Sequence, residues 1–183
     1  MILPIYITGH PTLHSPAEPV TEFNEDLAEL VENMYETTVA APGVGLAAPQ
    51  IGIGKQAFVW VYANQTAAPA RGVAINPQLF IEPIQPGGTT EEDAEGCLSF
   101  PGVKYQLRRS PRALLRAQGL DGKPYELEAD GWFARILQHE YDHLQGTLYV
   151  DRLAEPFSSK AASFYQDNKW GSENTKWTPG EAH

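Results

Sequence analysis

The amino-acid sequence predicts an α+β fold with mixed, mostly antiparallel sheets packed around a central helix. A chain of 183 residues suits one domain, and its 42% hydrophobic and 20% charged residues are ordinary for a globular protein. Segments with helical periodicity lie on either side of a block of short strand-like segments. This order of helix, several strands and helix differs from the alternating βαβ units of a parallel sheet, and it therefore predicts the α+β class.

The first helix is predicted over 25–40, where apolar residues recur at intervals of three and four. Its apolar face comprises Leu27, Leu30, Val31 and Met34. Asn24 precedes the first helical turn and is suited to cap it. The following stretch, 43–54, holds four glycines and Pro49, which predicts an ordered loop that can let its backbone approach a ligand.

The middle of the chain is predicted to form short strands. Segments rich in aromatic, β-branched and aliphatic residues are 56–62, 72–76, 79–84, 105–109, 113–118 and 124–128. The turn sequence at 119–122, Gly-Leu-Asp-Gly, predicts that the last two form a hairpin. Cys97 precedes a second turn signal, Pro101-Gly102, and is expected near a strand end or in a loop.

A second helix is predicted over 132–144, with Asp130 as its cap. Its apolar side chains follow helical spacing and comprise Phe133, Ile136, Leu137, Tyr141 and Leu144. After Arg152 the sequence becomes polar, which predicts a short helix near 158–168 and then a flexible tail. We therefore expect a main domain at 1–155 and a C-terminal extension at 156–183.

The composition disfavours several classes of protein. The chain has 13 Lys plus Arg against 23 Asp plus Glu, and its net charge of -10 would repel nucleic acid. One cysteine cannot form an internal disulfide, and the first residues do not have the pattern of a signal peptide. No apolar run is long enough to cross a bilayer. These features predict a cytoplasmic protein without nucleic-acid or membrane partners.

The second helix carries an HExxH motif, present here as HEYDH. His139 and His143 are four residues apart, so both imidazoles project from one helix face and can bind the same ion. Glu140 follows the first histidine and is placed to accept a proton from water beside that ion. The alternative is that these are ordinary core or surface histidines that match the motif by chance. The Glu requirement makes a chance match improbable.

A catalytic zinc-type site needs a third protein ligand and one coordination position left open for water or substrate. A metzincin would place a histidine where this chain has Tyr149, and that class is therefore disfavoured. Glu155 or Glu173 could serve as the carboxylate ligand of a small metallopeptidase. Cys97 could instead be a small buried apolar residue, but the glycine and turn residues around it and the unfilled ligand position favour it as the third ligand.

Three segments resemble the signature motifs of the peptide deformylase family. They are GVGLAAPQIG at 43–52, EGCLS at 95–99 and QHEYDHL at 138–144, and all three occur intact and in order. The similarity extends from the N-terminal segment to about Arg152. Their joint occurrence is far more specific than HExxH alone.

The resemblance implies a metal-dependent hydrolase that removes the N-formyl group from the N-terminal formylmethionine of new polypeptides and releases formate. The metal is then commonly Fe2+, with Zn2+ or Ni2+ able to use the same ligands. Its partners would be nascent N-formylmethionyl chains and the ribosome near its exit. The resemblance assigns Gln50 and the backbone N–H of Leu98 to the oxyanion, and Gly45 to the substrate backbone.

The resemblance also implies an apolar pocket for the methionine side chain. Its expected substrate-binding residues are Val44, Gly96, Trp132, Arg135 and Ile136. Arg135 stands where many relatives have an aliphatic residue, and we expect its stem to line the pocket while its guanidinium reaches solvent. Lys104 stands where many relatives have arginine, which puts an inherited substrate contact in doubt. Two alternatives stay open: a small HExxH metallopeptidase, and a non-catalytic protein that kept the fold.

Overall fold

An antiparallel five-stranded sheet forms the centre of the fold. The computed structural model describes residues 1–63 and 69–181. Its strands are β1 (Ile5–Tyr6), β2 (Gly45–Ala47), β3 (Ala57–Val61), β4 (Arg71–Ile81), β5 (Ala94–Cys97), β6 (Phe100–Gln106), β7 (Arg112–Gln118), β8 (Pro124–Asp130) and β9 (Lys176–Trp177). The main sheet has the order β2-β3-β4-β7-β8, while β1 pairs with β9 and β5 with β6. All these pairs are antiparallel, so the predicted α+β class is confirmed.

The first helix, α1 (Glu25–Ala40), matches its predicted bounds and packs against β2 and β3. Asn24 caps it as expected, because its Oδ1 accepts a hydrogen bond from the Leu27 backbone N–H at 3.1 Å. Val31 and Met34 are buried among the side chains of the sheet. The helix thus covers the half of the sheet that contains β2 and β3.

The second helix, α2 (Gly131–Leu144), contacts all five strands of the main sheet. Phe133 is buried, and its ring centroid lies 5.7 Å from that of Trp60 on β3. Asp130 occupies the N-cap position, but its side chain makes no capping hydrogen bond, so the predicted side-chain cap is wrong. The packing, rather than a cap, fixes this helix in the centre of the molecule.

Two predicted strands, 72–76 and 79–84, are one strand in the structure. β4 includes 72–76 and the first three residues of 79–84, ending at Ile81, and its register with β7 shifts between Ile75 and Gln78. Asn76 has φ of 49°, and Pro77 follows it. The bulge accommodates Pro77, which has no N–H to donate to the sheet. The proline therefore marks a bend within one strand rather than the end of a strand.

The expected loop at 43–54 contains regular structure. β2 (Gly45–Ala47) pairs with β3, and a 3-10 helix follows at Ala48–Ile51. The prediction of a loop was wrong because glycines are permissive in a short edge strand as well as in turns. Gly52 ends the 3-10 helix in the left-handed region, at φ of 80°.

The segment after Arg152 returns to the body of the protein. α3 (Phe157–Asp167) confirms the predicted short helix. Where a flexible tail was expected, Lys176–Trp177 forms β9 and pairs with β1 at the other end of the chain. Within 1–63 and 69–181, no helix has the length and apolar content of a membrane span.

Candidate metal centre

Three side chains from two elements converge behind a cavity. Cys97 is the last residue of β5, and His139 and His143 lie one turn apart on α2. Their candidate ligand atoms all lie within 4.8 Å of one another, and all three residues are buried. The Cys97 Sγ is 3.4 Å from His143 Nε2. The fold thus brings together the thiol and imidazoles that the sequence indicated.

The thiol and imidazole donors of this group suit a divalent transition-metal ion that accepts both sulfur and nitrogen ligands. Glu95 Oε1 lies 2.6 Å from His139 Nδ1, and this leaves Nε2 of that ring for a metal. Burial lowers the pKa of His139, but Cys97 and Glu95 outweigh burial and raise it well above its ordinary value. The same neighbours would favour a metal cation that takes the place of this proton on the ring. Burial lowers the pKa of His143, which keeps that imidazole in the neutral form that metals bind.

Glu140 lies beside this group with a carboxylate oxygen available. Its Oε2 is buried and has no hydrogen-bond partner within the part of the chain that the structure describes. Burial raises the pKa of Glu140 to about 7, an effect that His139 partly offsets. A carboxylate whose pKa lies near neutrality is suited to both accepting and returning a proton. The geometry and the protonation behaviour therefore suit proton transfer.

Gln50 and the turn after Cys97 form the other side of the cavity. The Ala47 N–H donates to Gln50 Oε1 at 2.8 Å, which fixes the orientation of the amide. Its Nε2 consequently faces Ser99 Oγ at 3.3 Å and the Cys97 sulfur at 3.8 Å. Leu98 and Ser99 connect β5 to β6, because Cys97 pairs directly with Phe100. Sequence reasoning quoted Ser99 within a motif but assigned it no role.

A buried ionic network holds His139, and sequence reasoning missed it. Arg109 donates to both carboxylate oxygens of Glu95, at 2.7 and 3.1 Å, and to Asp142 at 2.6 Å. Arg135 donates to Glu95 at 2.9 Å. Burial acts to raise the pKa of Glu95, but the hydrogen bonds and charges of His139 and Arg109 outweigh burial and hold it well below its ordinary value. Glu95 therefore stays ionised. Its place in EGCLS, two residues before Cys97, was the only sequence signal.

The guanidinium of Arg135 does not reach solvent, contrary to expectation. Arg135 is buried, and besides Glu95 its guanidinium bonds the Leu107 carbonyl at 2.6 Å and Asp93 at 3.1 Å. The two carboxylates and the carbonyl provide enough acceptors to keep the charge inside the protein. Its side chain still lines the cavity.

The cavity in front of these residues has a volume of about 640 Å³, which lies in the range of ligand-binding pockets. Its lining includes the expected residues Val44, Gly45, Gln50, Gly96, Leu98, Trp132, Arg135, Ile136 and Glu140, together with Lys104 and Trp177. Val44 and Trp132 are 40% and 41% exposed and stand at its mouth. Sequence reasoning assigned no role to Trp177.

The alternative third ligands do not join the group. Among the described residues, the cluster of potential metal ligands consists of Cys97, His139 and His143. Glu155 is exposed and accepts a hydrogen bond from Ser159 on α3. Tyr149 packs against the His139 ring with 6.0 Å between centroids. The arrangement therefore lacks the carboxylate that a metallopeptidase of the predicted alternative class would need.

Comparisons with known proteins give a consistent result. The sequence model of the polypeptide deformylase family matches residues 2–158. A peptide deformylase of Tropheryma whipplei is 49% identical over 192 residues, covering 98% of this chain and 94% of that protein. A peptide deformylase of Mycolicibacterium smegmatis is 42% identical over 189 residues, covering 98% and 95%.

Solved structures show the same likeness. The peptide deformylase of Thermus thermophilus matches with a TM-score of 0.77 at 36% identity, covering 92% of this chain and 93% of that one. A peptide deformylase from Synechococcus elongatus in complex with actinonin matches with a TM-score of 0.79 at 33% identity, covering 92% and 88%. Sequence and fold therefore agree along most of the chain.

Proposed function

Because the chain belongs to the polypeptide deformylase family, we propose which of its residues perform the reaction of that family. The protein is a metal-dependent hydrolase that removes the N-formyl group from the N-terminal formylmethionine of new polypeptides and releases formate. The convergence of Cys97, His139 and His143 within 4.8 Å carries the assignment of the metal ligands. For the metal we propose Fe2+, with Zn2+ or Ni2+ as substitutes for the same thiolate and imidazole donors.

When bound, the divalent cation acidifies water and stabilises negative charge on oxygen. Glu140 accepts a proton from that water at its carboxylate, in a site where burial has already raised its pKa to about 7. The oxygen adds to the formyl carbon, the carbon–nitrogen bond breaks, and Glu140 returns the proton to the departing amine. The products are formate and a free amino terminus.

The oxyanion of the tetrahedral intermediate is stabilised by Gln50 Nε2 and the backbone N–H of Leu98. The Ala47 N–H bonded to Gln50 Oε1 holds the amide in the orientation that presents its donor. Two fixed neutral donors need no reorganisation as charge develops, and such donors contribute strongly to acyl-transfer catalysis. Gly45 is assigned to the substrate backbone.

Residues that line the cavity hold the rest of the substrate. Val44, Trp132 and Ile136 provide apolar surface for the methionine side chain, and Gly96 bounds the same space. Arg135 contributes its stem, while its guanidinium is engaged by Glu95. The expected ribosome contact near the exit and the cytoplasmic location remain predictions.

The test loads purified protein with Ni2+ and measures formate release from a formyl-Met-Ala peptide. In Glu140→Ala, we expect turnover to fall by roughly 10²- to 10⁴-fold with the metal retained, because proton transfer is lost and the ligands are not. Glu29→Ala, an exposed helical glutamate on α1, is the control and should behave as wild type. Unchanged formate release in Glu140→Ala would contradict the mechanism.

A second variant tests the ligand set. Cys97→Ala should lose most of its bound nickel, measured by elemental analysis after gel filtration, because two imidazoles alone hold a metal weakly. Full metal occupancy in this variant, together with cleavage of internal peptide bonds, would favour the metallopeptidase alternative.

A further inference from the structure

The C-terminal strand places an indole in the wall of the substrate cavity. After α3 the chain returns to β1, where the Ile7 N–H donates to the Thr175 carbonyl at 2.9 Å and Ile5 pairs with Trp177. Trp177 packs partly buried against the core beside α1 and also lines the cavity. The family model ends at residue 158, so this residue lies beyond the segment that it matches.

The indole of Trp177 forms a hydrogen bond to the Leu98–Ser99 peptide unit, which follows Cys97. Its Nε1–H donates to the Leu98 carbonyl at 3.0 Å. The other end of that peptide unit is the Ser99 N–H, which donates to the Cys97 Sγ at 3.4 Å. In a planar trans peptide the C=O and the following N–H point in opposite directions. Fixing the carbonyl on one side therefore fixes the N–H on the sulfur.

The peptide unit that follows Ser99 is held by a separate hydrogen bond. The Ser99 carbonyl accepts a hydrogen bond from the Thr8 N–H at 2.9 Å, which anchors the next peptide unit to the segment after β1. Hydrogen bonds to a ligand atom tune its bonding to the metal and are part of the outer shell of a metal site. The C-terminal segment is thus connected to the proposed metal site through the hydrogen bond from Trp177 to the Leu98 carbonyl.

We propose that Trp177 is a positioning residue that orients the Leu98–Ser99 peptide unit toward the Cys97 sulfur, and a specificity residue that forms an apolar wall of the substrate cavity. The proposal rests on the proposed function for its kinetic consequences. Its structural consequence, an altered sulfur–metal bond, is independent of the reaction.

The tail has anchors that do not use the indole N–H. The pairing of β1 with β9 is formed by backbone groups, and Lys176 lies over the Tyr6 ring at 5.5 Å. Trp177→Phe should therefore keep the strand and the apolar wall while losing only the donor. Trp177→Ala removes the donor and the wall together.

Trp170 offers a matched control in the same segment. Its ring packs against Phe100, Phe164 and Tyr165, with centroid distances of 5.0, 5.5 and 6.4 Å. Trp170 is absent from the lining of the cavity, whereas Trp177 is present. Trp170→Phe therefore makes the same chemical change in the tail without touching the Leu98 carbonyl.

The experiment loads wild type and variants with Co2+ and records the sulfur-to-cobalt charge-transfer band, the rate of metal loss to a chelator, and kcat and KM for formyl-Met-Ala. We expect Trp177→Phe to shift the band, release cobalt faster and lose roughly fivefold in kcat, the size of one neutral hydrogen bond, with KM within about twofold. Trp177→Ala should add a several-fold rise in KM. Trp170→Phe should match wild type.

A Trp177→Phe protein with the band, metal release and kcat of Trp170→Phe would overturn the positioning role. An unchanged KM in folded Trp177→Ala would overturn the specificity role. If wild type itself releases no formate, the proposed function fails, while the band and the chelator rate still decide the positioning role. If Trp177→Ala fails to fold, KM for longer formyl peptides in Trp177→Gln, which also removes the apolar wall, replaces it, and an unchanged value there has the same meaning.

Discussion

The two sides of the metal centre are held by different kinds of interaction. The helix side consists of His139 and His143 with the charged residues Glu95, Arg109 and Arg135. Here buried ion pairs and charge-assisted hydrogen bonds fix the His139 ring. Such contacts are strong while every partner is present, and removal of one leaves the others buried without a counter-charge.

The thiol side consists of Cys97, Leu98 and Ser99 with Thr8 and Trp177. Its contacts are neutral hydrogen bonds. The Ser99 N–H donates to the Cys97 sulfur, and the donors to the Leu98 and Ser99 carbonyls are Trp177 and Thr8, near the two ends of the chain. Each is worth about 1 kcal/mol. We therefore expect removal of a charged partner on the helix side to reduce stability and metal affinity strongly. Loss of one neutral hydrogen bond around Cys97 should instead mainly reduce turnover, with a smaller effect on metal release.

The largest expected effect is on the helix side. Glu95→Ala should lower the free energy of unfolding by about 3–5 kcal/mol, because the buried guanidinium groups of Arg109 and Arg135 each lose one of their two carboxylate partners. Metal affinity should fall by roughly 10- to 100-fold, because His139 loses the group that orients it. Urea unfolding and chelator competition measure the two quantities.

The control for this variant is Glu126→Ala, which breaks an exposed pair with Arg116 and should change stability by less than about 1 kcal/mol. Equal losses in both variants would contradict the contrast between buried and exposed pairs.

The dependence of stability on pH provides a second test of Glu95. Because the pKa of Glu95 is held below its ordinary value of 4.5, its stabilisation is complete above pH 4.5 and is lost as the pH falls below it. Metal-free Glu95→Gln should lack that part of the acid sensitivity.

A second prediction concerns Gly45, where an added methyl group would contact Glu140, the proposed base. A Cβ on Gly45 would lie 2.8 Å from Cδ and 2.9 Å from Cγ of Glu140, whose side chain is buried and must shift. Gly45→Ala should therefore lower kcat by roughly 100-fold, the effect of a displacement of about 1 Å in a reacting group, with the metal retained. Steady-state kinetics and elemental analysis check this.

Gly54→Ala is the matched control, because a Cβ there meets nothing within 4 Å. It should retain wild-type turnover. Loss of metal in Gly45→Ala would show that the methyl group disturbs the ligands rather than Glu140, and it would contradict the assignment of the effect to the base.

The sequence was sufficient for the parts of the fold and site that depend on local spacing. A four-residue interval on a helix places His139 and His143 on one face whatever surrounds them. The Asn24 cap and the hairpin between β7 and β8 are equally local. For these features a few neighbouring residues contain the whole physical cause.

Features that depend on distant contacts were missed or misplaced. The pairing of Glu95 with Arg109 and Arg135 requires β5, α2 and the segment between β6 and β7 to meet, and no periodicity records that meeting. The same holds for Trp177, whose partner lies 79 positions away. The bulge at Asn76 was taken for a strand end because proline marks both.

The smallest expected effect is on the thiol side, at Ser99. Its buried hydroxyl accepts a hydrogen bond from Gln50 Nε2 at 3.3 Å, while the contact from Nε2 to the Cys97 sulfur is longer, at 3.8 Å. Ser99→Ala should leave the Gln50 amide less firmly oriented toward the oxyanion, although the Ala47 N–H still holds its other end. We expect kcat to fall about three- to fivefold, the worth of one neutral hydrogen bond, with metal content unchanged and unfolding affected by at most about 1 kcal/mol. Ser159→Ala, on the exposed face of α3, provides the control. If Ser99→Ala keeps the full kcat of that control, Ala47 alone positions the amide; if it instead loses several kcal/mol of stability, the thiol side is no weaker than the helix side and the contrast between the two fails.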